Sequence, residues 1–200
     1  MFRFLLAGVD VVPAAIVLVP VFLILHWTVY RRHLRKSVLY CLFSLYLAAV
    51  FSLVGIPNVT YVRMEMNLNL IPLLGMVEDF SNCVLNILLF IPLGFFLPVL
   101  WEKFRKKHLT VMFGFGMSLL IELLQIFTFR ATDVNDLITN GFGTLVGFLI
   151  ADCAIGKYPA IRDAVNEKRT KDLYFVWLMA FLVMFFIHPI LSPLIWDSIL

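Results

Sequence analysis

The 200 residues are 62% hydrophobic and 15% aromatic, with only 14% charged side chains and a net charge of +3. A soluble domain of this length lacks the interior to hide so much apolar surface. The basic residues lie in short loops between apolar runs, so the charge is no nucleic-acid footprint. One integral membrane domain over residues 1–200, with no soluble module, is expected.

Six apolar runs approach or reach the roughly 20 residues that a bilayer-spanning helix needs. The first covers residues 11–30. It is too long for a signal peptide and ends in Tyr30-Arg31-Arg32 with no small-residue cleavage site. Pro13 and Pro20 bend it, and His26, Trp27 and Tyr30 form an interfacial belt at one end. The second run covers residues 37–56. After it, residues 57–82 are mixed, with polar Asn58, Thr60, Arg63, Glu65, Asn67 and Asn69 among Met and Leu. Within that stretch, 68–77 is apolar but too short to span, and reads as a re-entrant or interfacial segment broken at Pro72 and Gly75. Glu78 and Asp79 precede the third span, 83–100, and suit the positive end of its dipole. Asn86 sits in the first two turns of that span, and Pro92 and Gly94 are expected to interrupt it. The fourth and fifth spans, 109–128 and 136–155, are joined by so short a link that they must be antiparallel neighbours. The sixth, 173–190, ends at His188-Pro189.

Lys and Arg set the expected orientation. Thirteen of the sixteen fall in the loops after spans one, three and five, leaving Arg3, Arg63 and Arg130 for the other side. The positive-inside rule makes the rich side cytoplasmic. An all-α membrane protein of about six transmembrane helices follows, with both termini outside. Cys41 and Cys153 then lie near the cytoplasmic ends of their spans and Cys83 near an outer end. That separation rules out a disulfide from Cys83 to either. No zinc or iron–sulfur ligand spacing occurs, and no metal or other cofactor is expected.

Polar residues gather at the fourth and fifth spans. Glu122, Gln125, Arg130, Asp133, Asp136 and Asn140 occur within nineteen positions of an otherwise apolar stretch. A carboxylate deep in the bilayer costs roughly 2.5–3.5 kcal/mol on insertion scales, and by default marks a functional site. Glu122 lies six residues before Thr128, about 9 Å at the helical rise. Asn140 lies seven past Asp133, about 10 Å back down, and Asn86 enters from the same outer side, so all three are expected in one layer. Glu122 and Gln125 share a helix face that Ser118 extends inward. Asp133, Asp136, Asn140, Gly143 and Gly147 form a second stripe, polar outside and small inside. Gly143-x-x-x-Gly147 permits close helix contact. Structural roles stand beside this reading: Asp133 and Asp136 fit the N-cap and N3 positions of span five, and Asn86 and Asn140 fit interhelical hydrogen bonding. Glu122 fits a structural role least well, because a carboxyl group there needs Arg130, an amide partner or a proton.

The order of Asn69-Leu70-Ile71-Pro72, Asn86 with Phe90-Ile91-Pro92-Leu93-Gly94, Glu122-x-x-Gln125, Arg130, Asp133, Asp136, Asn140 and Gly143 resembles the VanZ-like family over about residues 40–155. That family is named for a protein giving resistance to the glycopeptide teicoplanin. The resemblance implies a small, multi-pass protein of the bacterial cell membrane that lowers sensitivity to such drugs. An outward polar pocket would bind a lipid headgroup, a lipid-linked cell-wall precursor or the glycopeptide, with Asn86, Glu122, Gln125, Arg130, Asp133, Asp136 and Asn140 as binding residues. The alternative is an intramembrane enzyme acting on a lipid-linked envelope substrate. Glu122, Asp133 and Asp136 are its catalytic candidates, with Glu122 as general acid or base and the aspartates holding a divalent cation with Asn140. A proton-coupled carrier using Glu122 is a third reading. The short cytoplasmic loops hold no nucleotide-binding motif, which argues against an ATP-driven pump.

Overall fold

A computed structural model of the chain describes residues 2–30, 33–60, 68–69, 80–128, 132–162, 168 and 170–199. Six helices are long and apolar enough to cross a membrane: Val11–Thr28, Leu34–Val54, Phe80–Leu100, Lys107–Gln125, Val134–Lys157 and Lys171–Asp197. The chain forms two compact units, residues 1–63 with 171–200, and residues 64–170.

The first unit contains α1 (Phe2–Thr28), α2 (Leu34–Val54), α7 (Lys171–Leu182) and α8 (His188–Ile199). Helix α1 stays helical through Pro13 and Pro20. Helix α2 ends at Gly55, whose left-handed backbone (φ 67°) turns the Ile56 N–H back onto the Phe51 carbonyl at 3.3 Å. Near the α1–α2 turn, Lys36 Nζ pairs with Asp172 Oδ2 at 2.7 Å. Its ammonium also lies 5.2 Å and 5.3 Å from the ring centroids of Tyr30 and Tyr40. Burial, followed by the charge of Asp172, holds the Tyr30 hydroxyl well above the usual tyrosine range.

Span six does not stop at His188-Pro189. It continues through a π turn, Val183–Ile187, into α8. Proline has no N–H, and its ring crowds the carbonyl four residues back, which here is Phe185. The wider turn relieves that crowding, and the Phe185 carbonyl instead accepts the Val59 N–H at 3.0 Å.

The second unit holds α3 (Phe80–Leu100), a 3-10 turn (Glu102–Arg105), α4 (Lys107–Gln125), α5 (Val134–Lys157) and the short α6 (Pro159–Arg162). Helix α3 is not interrupted by Pro92 or Gly94; it runs unbroken through both and through Pro98. A side-chain carbon on Gly94 would overlap the Thr144 carbonyl, so this glycine provides close approach to another helix rather than a break. Leu68–Asn69 (β1) pairs in parallel with Thr132–Asp133 (β2), Leu68 opposite Thr132 and Asn69 opposite Asp133. This two-residue ladder occupies the start of the expected 68–77 segment, whose remainder lies outside the described residues. Cys41, Cys83 and Cys153 are free thiols.

Candidate functional site

Helix α5 is the wedge of the second unit. Its Gly143 and Gly147 press on α3, where a side-chain carbon would overlap the carbonyls of Ile87 and Ile91 respectively. The pairs advance together along both chains, so α3 and α5 run parallel. On another face, Thr144 fills the space at Gly114 of α4, and Asn140 reaches Ser118 of α4. There the two helices count in opposite directions, as the short hairpin requires. The expected single stripe on α5 therefore divides: Gly143 and Gly147 serve α3, whereas Asn140 and Thr144 serve α4.

The polar residues sit on the α4–α5 seam in two steps. In the inner step, Asn140 Nδ2 donates to Ser118 Oγ at 2.9 Å, and the Asn140 carbonyl accepts the Thr144 hydroxyl at 2.9 Å. Asn140 is only 3% exposed, and its amide oxygen meets no donor among the described residues. One turn of α4 further on, Glu122 is 2% exposed and its Oε2 accepts the backbone N–H of Asp133 at 2.9 Å. Glu122 and Asn140 are thus staggered by about one helical pitch, near 5 Å, rather than level. The equal-depth expectation took α4 to continue to Thr128. The helix instead closes at Gln125, with Thr128 folding back through its N–H and hydroxyl onto the Gln125 carbonyl.

The start of α5 explains how the carboxylate is held. Asp133 is the N-cap, in an extended conformation, and its Oδ1 accepts the Asn135 N–H at 2.8 Å. In a capping box the N3 side chain would accept the N–H of the cap residue itself. Here Glu122 accepts it, from the neighbouring helix. One carboxylate therefore serves both as a buried polar group and as a clasp between α4 and α5. The ladder with Leu68–Asn69 lies against the same cap residue.

Gln125 is buried at the end of α4, and Asp136 is half-buried at N3 of α5. Asn86 is half-buried on α3 beside Ile87; its amide makes no hydrogen bond to the Glu122–Asn140 cluster among the described residues. Arg130 lies outside the described residues. Thr144, fully buried where the three helices meet, was not singled out by sequence reasoning. Its signal was the four-residue step from Asn140 on α5, matched by Ser118 and Gly114 on α4. Among the described residues, no group of three or more His, Cys, Asp or Glu side chains is arranged to hold a metal ion.

Comparison with known proteins places this geometry in a family. Residues 37–155 match VanZ/LLP1. The chain is also similar to Protein VanZ of Enterococcus faecium, 35% identical over 86 residues that make up 42% of this chain and 51% of that protein. It thus spans about half the length of the curated relative it matches. No solved structure matches it. The matched region runs from the first turn of α2 almost to the end of α5 and takes in the whole α4–α5 seam. On that match, across more than half of its length, this multi-pass membrane protein belongs to the VanZ/LLP1 family.

Proposed function

We propose that this protein lowers the sensitivity of a bacterial cell to teicoplanin-type glycopeptides by binding a ligand in an outward-facing polar pocket within the membrane. The ligand is a lipid headgroup, a lipid-linked cell-wall precursor or the drug itself. The observation that carries the reading is the buried seam: a carboxylate that is 2% exposed, one turn from an amide oxygen with no donor among the described residues. A hydrocarbon environment gives that amide oxygen no water, so it favours a ligand bearing hydroxyl, amide or ammonium donors. Headgroups, peptidoglycan precursors and glycopeptides all carry them. The outward orientation rests on the distribution of Lys and Arg over the loops. Asn86, Gln125, Arg130, Asp133 and Asp136 complete the proposed binding set.

An intramembrane enzyme acting on a lipid-linked substrate is the second reading. One observation favours it: Glu122 accepts the backbone N–H of Asp133, which brings two carboxyl-bearing residues to one end of the seam, and paired carboxyl groups suit general acid–base work. Purification in mild detergent followed by mass spectrometry of retained lipids tests the binding reading. A lipid-linked precursor retained by wild type and lost in Asn140→Leu supports it. Turnover of that lipid during incubation, dependent on Glu122, would replace binding with catalysis. Retention of bulk phospholipid alone by both proteins would remove the pocket.

A further inference from the structure

A second polar feature of this unit lies at the opposite ends of α3 and α4 and belongs to none of the residues above. A cleft of about 630 Å³ is lined by Glu102, Lys103, Arg105, Lys106 and Lys168. The cleft is shallow and largely open. Four cations face one carboxylate. Lys168 comes from beyond α6, more than sixty positions from the others, so the fold gathers charge that the sequence keeps apart.

The turn that carries most of the lining residues is firmly packed. Trp101 is fully buried, and the next residues form the 3-10 turn. Phe104 is buried edge-to-face on Phe113, with ring centroids 5.3 Å apart, and its carbonyl accepts the Thr110 hydroxyl. Arg105 is tied by its Nε–H to the Pro98 carbonyl at 3.4 Å. On that packed turn Lys103 and Lys106 are exposed, and Lys168, the lining residue from beyond α6, is exposed as well. Holding like charges together costs free energy that an anion would offset.

Position decides which anion. The cleft lies where α3 ends at Leu100 and α4 begins at Lys107, at the boundary of two membrane spans. On α4, which starts beside the cleft, Met112, Phe115 and Leu119 are exposed apolar side chains, 66%, 43% and 49% accessible. A soluble phosphate would use the cations alone. A phospholipid would use both features, with its phosphate in the cleft and its acyl chains along α4.

We infer that this cleft is a binding site for the phosphate headgroup of an anionic phospholipid in the leaflet on the basic side of the membrane. The site is distinct from the α4–α5 seam and does not depend on the function proposed for it.

The test uses the full chain in detergent, titrated with phosphatidylglycerol or phosphatidylcholine and read by native mass spectrometry. Wild type is expected to retain phosphatidylglycerol preferentially. The variant Lys103→Gln/Lys106→Gln/Lys168→Gln changes only exposed side chains and is expected to lose that preference by roughly tenfold or more. Glu102→Gln should strengthen it. The control Arg35→Gln/Lys157→Gln/Lys171→Gln removes the same number of charges from residues that do not line the cleft and should leave it intact. Equal retention of both lipids by wild type overturns the inference. So does equal loss in the control, which would reduce the effect to general basic charge. Displacement of phosphatidylglycerol by millimolar inorganic phosphate overturns the lipid assignment in favour of a soluble phosphate.

Discussion

Glu122 joins two demands in one side chain, and substitutions separate them. Glu122→Gln keeps an oxygen that accepts the Asp133 N–H but removes the charge. Membrane abundance should stay near that of wild type while the proposed glycopeptide protection disappears. Glu122→Leu also leaves the Asp133 N–H without its acceptor, a loss of about 1–3 kcal/mol for a buried group, so abundance should fall as well. Immunoblots of membranes beside susceptibility assays read both quantities. Full protection by Glu122→Gln at normal abundance would leave Glu122 as a helix clasp alone. Asp133 offers a simpler case. Asp133→Ala removes the acceptor for the Asn135 N–H and should cost about 0.5–2 kcal/mol. Asp133→Ser should recover most of it, measured as apparent melting temperature in detergent. How much of this was legible beforehand varies by residue. The cap role of Asp133 could be read from its place before a helical run. The clasp could not, because it joins residues eleven apart across a hairpin whose turn geometry no pattern encodes. Thr144 was missed because a threonine in an apolar run carries no mark of its own; its meaning comes from the glycines that face it.

Between elements, glycine sets the distance. Gly143 and Gly147 bring α5 against the α3 backbone, whereas Gly116 and Gly156 face open space. Gly147→Leu should therefore lower the folded amount sharply, with Gly147→Ala milder but still harmful. Gly116→Ala, in the middle of α4, should be neutral or raise stability by about 0.5–1 kcal/mol. Thermal unfolding of the four purified proteins orders them, and a Gly147→Ala as stable as Gly116→Ala would contradict the close contact. The sequence made Gly143 and Gly147 legible as a packing face but did not name the partner helix. It also suggested a broken α3, because Pro92 and Gly94 look alike as breakers. In a membrane helix, neighbours tolerate the proline, and Gly94 becomes a contact surface for Thr144.

At the scale of the whole molecule, the six spans were legible from hydropathy alone, since length and apolarity are what a bilayer selects. The proposed orientation rests on the placement of Lys and Arg. Cysteine probes introduced at Lys106 and Lys157, with native thiols removed, should stay unlabelled in intact cells and react after permeabilisation. Labelling in intact cells would reverse the assignment of both termini to the outside. A different consequence follows from α5 as the wedge. Helices α3 and α4 touch each other far less than either touches α5, yet both are synthesised before it. Until α5 emerges, a nascent chain presents the bare faces at Gly94 and Gly114, and a carboxylate at Glu122 that has not met the cap it clasps. Assembly is thus held back until the last of the three helices arrives. A ribosome that stops early leaves a product conspicuous to membrane proteases. Chains ending at residue 128 should decay faster in a pulse-chase than chains ending at residue 162, even though the shorter chain has only one span fewer.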